Sequence, residues 1–472
     1  MTVVIAAVPL VETTEILMAP ALLKACLNKH DISAVALDLN IDIVNRLKDH
    51  PKSTQIKNFF FTQNIDPDVI DEICDIIDYC AEKICQQQPT VIALSLLTYS
   101  CQIFTRWLCA KLRSLAPDVK IVIGGTGIKN FIADFDNSFC QQCVRLNLID
   151  DYITGDGEVS FVEYIKGNLT YPGINSDQWQ RTPDLNVVPF PDYSDYDFEK
   201  YELGDIPLCD SRGCVKNCEF CDVIEYWTKF QWRSAENIFQ EMLWQIQKYQ
   251  RHSFSLRSSL VNGNMKEFRL LLDLICNYNQ DKPRASQISW KGYFIVRTQS
   301  QHPPELWEKL RNSNGTLIVG VESVVSRVRH GMGKTFSNED LDYHLAMGKK
   351  FQVSMVLLMI VGYPTETQDD YEFTKQWIKD RKNYANDTVV KIGLSLASVL
   401  PNTQLSRNAS KHNLKLHPIL PSVWINQNLK ITSTQRVEYL KELLRICKED
   451  CGFNFYSNEQ TIEHSLAHDN LY

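Results

Sequence analysis

Short apolar runs alternate with amphipathic stretches over the first 167 residues. "VVIAAVP" at 3–9 reads as a buried parallel strand, "APALLKACLNKH" as the helix after it, and "AVALDLN" as a second strand ending in polar residues. Helical text at 66–86 precedes "TVIALSLLTYS". The helix "IFTRWLCAKLRSLAP" then leads to "KIVIGGTG", and the weak strand "DDYITGDGE" leads to the helix "VSFVEYIKGN". Apolar strands followed by polar or glycine-rich text predict a doubly wound, Rossmann-like α/β domain at 1–167. Ligands of such sheets bind outside the strand C-termini. The candidate edge is therefore Pro9, Asp38 to Asn40, Ser95 to Ser100, Gly124 to Gly127 and Gly155 to Glu158.

Residues 168–205 are rich in Pro, Asp, Asn and Tyr without a sustained period, and read as a linker wrapped over a surface. A second β/α series starts near 206. Its strands are "DIPLCDS", "SFSLRSS", "QISWKGYFIV", "GTLIVGVES", "QVSMVLLMIVG" and "VVKIGLSLASV", with helices at 234–250, 264–279, 303–313, 337–350 and 367–382. Six such strands predict a partial (β/α)6, TIM-like barrel over 206–405, with its active face at the strand C-terminal ends. The polar clusters "SSLVNG", "GVESVVSRVRHGMGK" and "GYPTET" all fall there. Residues 406–472 read as a helical C-terminal extension whose helix, "STQRVEYLKELLRICKEDCGF", stops at Gly452.

A chain of 472 residues exceeds one ordinary core, and 44% apolar with 22% charged residues is globular composition. No apolar run is long enough to span a bilayer, and the N-terminus lacks a basic leader, so a cytoplasmic protein with no membrane partner is expected. The net charge of −8 argues against a nucleic-acid partner. Most of the 15 cysteines lie in apolar helical text and read as buried, reduced thiols.

Only "CDSRGCVKNCEFC" has ligand-like spacing, C-x4-C-x3-C-x2-C from Cys209 to Cys221. Three arrangements compete: four thiolates on a structural zinc, four on an electron-transfer iron–sulfur cluster, or three on a cluster with one iron left open. The spacing favours the third. Cys214, Cys218 and Cys221 can wrap three corners of a cube, while Cys209, inside "IPLCD", reads as a wall residue of the barrel.

C-x3-C-x2-C with an aromatic residue before the last cysteine, just after the first strand of a β/α series, resembles the radical S-adenosylmethionine (radical SAM) superfamily. The resemblance implies a 4Fe-4S cluster on Cys214, Cys218 and Cys221, with S-adenosylmethionine chelating the open iron and being cleaved to a 5′-deoxyadenosyl radical. It implies that Phe220 lies near the adenine and that Glu322 and Ser323, in "GVES", lie near the SAM moiety; the competing reading of Glu322 is a helix cap. Arg329 and Lys334 are within reach of the same pocket but read first as solvated helix charges, and Thr365 reads as the cap of the helix after "GYP". The family's Gly-Gly-Glu contact to the methionine amino group has no match. Ser258, Ser259 or Asn262 in "SLRSSLVNG" are the substitutes on offer.

The pairing of an α/β domain with such a barrel resembles the cobalamin-binding subgroup. Ser95, Thr98, Gly124, Gly125 and Gly155 would then embrace a cobalamin. The D-x-H-x-x-G signature is absent, so no histidine is expected below the cobalt. The implied function is cobalamin-dependent methylation of an unactivated carbon. The alternatives are cobalamin-dependent oxidation or ring rearrangement without methyl transfer, and a non-catalytic cluster- or cobalamin-binding sensor. The implied partners are a small-molecule or peptide substrate and an electron donor such as flavodoxin or ferredoxin. A methylthiotransferase would be expected to carry a second set of three cysteines in the first domain, which the sequence does not offer.

Overall fold

The computed structural model describes residues 2–11, 14–62, 65–129, 138–202, 204–387, 390–417, 423–429 and 431–455. The chain divides into two compact units, Met1–Pro207 and Leu208–Tyr472.

The first unit carries a parallel sheet of β1 (Val3–Ala7), β2 (Ala34–Asp38), β3 (Val91–Ser95), β4 (Lys120–Gly124) and β5 (Asp151–Ile153), in the order β2-β1-β3-β4-β5. Alternate residues feed two cores. Val4, Ala6, Ile92, Leu94, Ile121 and Ile123 pack under the helices Ile70–Cys85 and Gln102–Leu115. Val3, Ile5, Val91, Ala93 and Val122 pack on the opposite face with Cys26, Leu27, Phe161 and Val162. Burial on both faces is why these strands read as unbroken apolar runs. The order reverses between β1 and β3, and that switch point is where a doubly wound sheet opens a crevice.

The 168–205 segment is bound to this unit rather than loose. Asp195 accepts from Lys24 Nζ at 2.6 Å and from the Ala36 amide at 2.8 Å. Tyr196 OH donates to the Leu17 carbonyl and Tyr201 OH to Asp38, each at 2.9 Å.

The second sheet contains β6 (Ile206–Leu208), β9 (Ser253–Leu256), β10 (Ser289–Phe294), β11 (Gly315–Glu322), β12 (Ser354–Val361), β13 (Val390–Leu396) and β16 (Asn454–Phe455), in the order β16-β13-β12-β11-β10-β9-β6. Two antiparallel pairs lie outside it: β7 (Ser211–Arg212) with β8 (Gln231–Trp232), and β14 (Leu414–Leu416) with β15 (Trp424–Asn426). The six expected strands are all present, and β16 is an addition from the tail.

Helices between the strands start where their caps dictate. Ser234, Asn264 and Ser337 accept from first-turn amides of the helices Ala235–Tyr249, Met265–Asn279 and Asn338–Phe351. The helix Gln368–Asp380 is capped by Thr367, which forms a capping box with Asp370, and not by Thr365. A carboxylate three residues after Thr367 makes that the better cap. The tail helix Ser433–Arg445 ends in a π turn before Gly452, whose φ is +74°. Among the described residues no helix is long and apolar enough to cross a membrane.

Candidate iron–sulfur and cofactor site

The cysteine loop leaves β7 and returns through β8, so that two-strand ladder closes its base. Gly213 lies in the left-handed region at φ +78°, and a Cβ there would stand 2.6 Å from the Lys229 carbonyl oxygen. Only glycine lets the two arms of the loop approach this closely. Inside the loop the Cys221 amide donates to the Cys218 carbonyl at 3.1 Å, and the Lys216 amide to Cys214 Sγ at 3.4 Å.

Burial raises the pKa of all three thiols, Cys221 to about 12, and Cys221 also senses Cys218 and Cys214. Without iron they stay protonated, so ligation must release protons. Among the described residues no three His, Cys, Asp or Glu side chains converge on a point suited to a single ion. Three thiols on one short loop are a donor set that an iron–sulfur cluster accepts, each thiolate on a different iron. Cys209 is engaged elsewhere. Its Sγ lies 3.7 Å from the Ser211 carbonyl, and its own carbonyl accepts from Arg233 Nη1 at 3.0 Å.

Glu322 ends β11 after a break in its register with β12, and its φ is +61°. A non-glycine residue held there is strained, a feature that clusters at functional sites. Its Oε1 lies 2.9 Å from Lys334 Nζ, which also donates to the Gly320 carbonyl at 3.2 Å. Burial opposes the lysine's charge, but Glu322, Cys218 and Cys214 outweigh it and raise its pKa. Lys334 is thus no solvated helix charge. It follows Gly333, whose φ of +89° turns the chain back onto Asn217 and Cys218. Glu322 does not cap the next helix, Ser326–Gly331, which starts after Val325.

Arg329 is fully buried and not solvated. It donates to the Ser323 carbonyl at 2.8 Å and the Phe336 carbonyl at 3.2 Å, so it braces the turn rather than facing a ligand. Ser323 is buried, its Oγ accepting from the Val325 amide at 3.2 Å. Phe220 packs on a cluster containing Met332, Tyr363, Leu405 and Trp424. Asn262 is spent on the Ile295 backbone and on His302.

Ser258 is buried beside Asp210. Burial raises the Asp210 pKa to about 7, and Ser258 counters that in part. The buried Trp290 and Trp424 are core, donating to Ser313 and to the Ala397 carbonyl.

Sequence reasoning passed over Glu219, between Cys218 and Phe220. Burial disfavours its charge, yet hydrogen bonds from His412, Tyr363 and Asn408 hold its pKa below the usual range. No spacing rule links residue 219 to residue 412, so no sequence signal existed for it.

In the first unit Ser95, Thr98, Gly124, Gly125 and Gly155 are all partly exposed at the strand C-terminal edge, with Leu97 49% exposed between them. Thr98 Oγ1 bonds Ser100 Oγ at 2.7 Å, and Thr126 Oγ1 donates to the Leu97 carbonyl at 2.5 Å. A Cβ on Gly125 would fall 2.3 Å from the Leu96 carbonyl oxygen, and one on Gly155 2.2 Å from that of Gln180. These glycines let neighbouring loops pack backbone to backbone, leaving a low, neutral rim. His30 follows the helix Met18–Asn28 and precedes β2, at the opposite edge of the sheet. The named rim residues carry no charge, and Leu97 is exposed among them.

Residues 208–378 match the family model of the Radical SAM superfamily. An uncharacterized methyltransferase of Pyrococcus horikoshii is 22% identical over 74% of this chain and 76% of its own length. A putative methylthiotransferase of Methanocaldococcus jannaschii is 26% identical over 59% of this chain and 62% of its own. Among solved structures, the radical SAM methyltransferase TsrM of Kitasatospora setae, determined with cobalamin and a 4Fe-4S cluster bound, aligns over 99% of this chain and 95% of that one at a TM-score of 0.63 and 14% identity. The cobalamin-dependent radical enzyme OxsB, with aqua-cobalamin bound, aligns over 95% of this chain and 67% of that one at 0.67, also at 14% identity. At such identities the likeness is one of fold. Residues 208–378 thus carry the match to the Radical SAM superfamily, and the fold of the chain resembles that of TsrM and OxsB.

Proposed function

We propose that the chain is a cobalamin-dependent radical SAM methyltransferase acting on an unactivated carbon. The observation that carries this reading is the loop of three thiols, Cys218 buried and Cys214 and Cys221 half-buried, beside the Glu322–Lys334 pair at the C-terminal end of a parallel β/α sheet. Cys214, Cys218 and Cys221 would hold a 4Fe-4S cluster. The rim of Ser95, Thr98, Gly124, Gly125 and Gly155 would seat cobalamin. When bound, the cluster supplies the electron that cleaves S-adenosylmethionine to a 5′-deoxyadenosyl radical, and cobalamin carries the methyl group.

The chain's own residues fix the thiols, place a buried cation against them and keep water out. Phe220 lines the loop's apolar side and is the candidate adenine neighbour. Glu322 is the candidate contact for the SAM amino group, because Asn262 is already committed. Ser323 supports Glu322 through the turn that Arg329 braces.

Methylation is favoured over methylthiolation by the first unit's thiols. Cys109, Cys140 and Cys143 approach one another, but they are buried in the apolar core. They offer no open second-cluster site.

The test is anaerobic reconstitution with iron and sulfide, followed by S-adenosylmethionine and a strong reductant. 5′-Deoxyadenosine should form, and the protein should retain a corrin with its own visible spectrum. A protein that holds a cluster but never cleaves S-adenosylmethionine would be a sensor. One that cleaves it without retaining a corrin would not be a cobalamin enzyme.

A further inference from the structure

Glu219 has four polar groups, and all four leave the cysteine loop. Its amide donates to the Met332 carbonyl at 3.0 Å, and its carbonyl accepts from the Leu405 amide at 2.8 Å. Carboxylate Oε2 accepts from Tyr363 OH at 2.9 Å. Oε1 accepts from Asn408 Nδ2 at 3.2 Å and His412 Nε2 at 3.0 Å. Three of these partners, Leu405, Asn408 and His412, lie beyond the last expected barrel strand, at the start of the extension and just before it.

That stretch is itself rigidly tied. Thr403 caps the helix Gln404–Arg407, and Leu405 is fully buried with Tyr363 and Trp424. Asn426 donates to the Pro364 carbonyl at 2.8 Å and the His412 carbonyl at 3.3 Å, joining the extension to the turn after β12. Arg407 reaches back to Glu225 at 2.8 Å, on the short helix just past Cys221. Because a carboxylate only accepts, His412 must carry its proton on Nε2, as must any residue that replaces it.

We infer that the segment Leu405–His412 is part of the cluster site: with Tyr363 it grips Glu219 and so fixes Cys218 and Cys221 at the separation a 4Fe-4S cluster requires. Glu219, Tyr363, Asn408 and His412 are positioning residues that need not touch iron. The inference rests on the three cysteines being the cluster's ligands. The turn at Met332 and Gly333 adds to the grip, since Met332 takes the Glu219 amide and Gly333 packs against Asn217 and Cys218. Groups that orient metal ligands typically change metal retention about 10–100-fold when removed.

The test uses full-length, anaerobically reconstituted protein. It follows the rate at which an iron chelator strips the cluster, read by the loss of visible absorbance and by iron per chain. Glu219→Ala should speed stripping by about tenfold or more, and His412→Ala by a smaller factor that His412→Gln, still a donor, restores. Adding His412→Ala to Glu219→Ala should change nothing further. Leu272→Ala, in the buried face of a remote helix, is the control for general loosening.

Wild-type stripping in Glu219→Ala, or equal acceleration by Leu272→Ala at a matched drop in melting temperature, would overturn the inference. A Cys214→Ala variant that still holds a full cluster would instead sink the ligand reading. Should Glu219→Ala fail to fold, the His412→Ala and His412→Gln pair decides the question alone.

Discussion

Two strand-end edges, one in each unit, differ in the charge they present. The first unit's rim is made of Ser95, Leu97, Thr98, Gly124, Gly125 and Thr126, none of which carries charge. Its nearby carboxylates are turned inward: Asp38 accepts from Tyr201 and Ile41, and Asp42 pairs with Lys83 and Lys200. The second unit's edge keeps its charges at the site. Glu322 faces Lys334 beside the thiols, and Glu219 sits inside the ligand loop. On the proposed reading the neutral edge would hold a corrin through backbone and apolar contact, and the charged edge a small anionic cluster through fixed ligands and a counter-charge.

The sharpest break in that comparison is chemical. Cys214→Ala, Cys218→Ala and Cys221→Ala should each lose nearly all cluster iron while leaving corrin retention intact, and Cys209→Ala should keep both. Iron and sulfide analysis beside the corrin spectrum checks this. Loss of the cluster in Cys209→Ala would return the site to a four-cysteine one.

The reciprocal break is Gly125→Ala. It forces a Cβ to 2.3 Å from a backbone oxygen at a φ of +99°, which costs about 4 kcal/mol from strain and overpacking together. Thermal unfolding should show the first unit destabilised and corrin retention weakened, with the cluster untouched. A variant that keeps wild-type corrin binding would mean the rim is not the seat.

The strands of both sheets were legible because burial on two faces writes itself as uninterrupted apolar text, as in "VVIAA" and "VLLMIV". The cluster loop was legible because its ligands are close in sequence. What stayed hidden depends on chain reversals that periodicity does not encode. Lys334 reads as a helix charge until Gly333 turns it inward, and Arg329 reads as solvent-facing until the turn at Ser323 encloses it. The Glu219 grip joins residues nearly two hundred positions apart, and β16 is a strand of only two residues completed by its neighbour. The cap moved from Thr365 to Thr367 because Asp370 completes a capping box.

Lys334 sharpens the comparison at the charged edge. Lys334→Met leaves Glu322 buried without its cation, a loss of about 3 kcal/mol. It also removes a positive charge beside Cys218 and Cys214, so the cluster's reduction potential should fall. Chemical denaturation and a spectroscopic redox titration read the two effects separately. The double variant with Glu322→Gln should recover much of the stability and part of the potential, because it also removes the negative charge that Cys218 senses. A potential that does not move would place Lys334 too far from the iron to act on it.

The smallest effect concerns a carboxylate beside each edge. Burial raises the Glu366 pKa from 4.5 to about 7, against the Gly362 amide that donates to it at 2.6 Å. A raised acid pKa means the folded chain holds the proton more firmly than the unfolded chain. Stability from this group is therefore fully present below about pH 4.5 and is lost as pH rises through about 7. Glu366→Gln keeps an oxygen for the Gly362 amide and removes the charge. It should be more stable than the wild type at pH 8 by up to about 3 kcal/mol, with the gap closing below about pH 5. Asp38 is raised to about 6 by the same cause, but its carboxylate takes donors on both oxygens, from Ile41 and from Leu17 and Tyr201. Asp38→Asn points an amide at one of those donors, so it should gain less than Glu366→Gln or lose outright. Equal gains at pH 8 would mean that desolvation alone, and not the supply of donors, sets the balance at both edges.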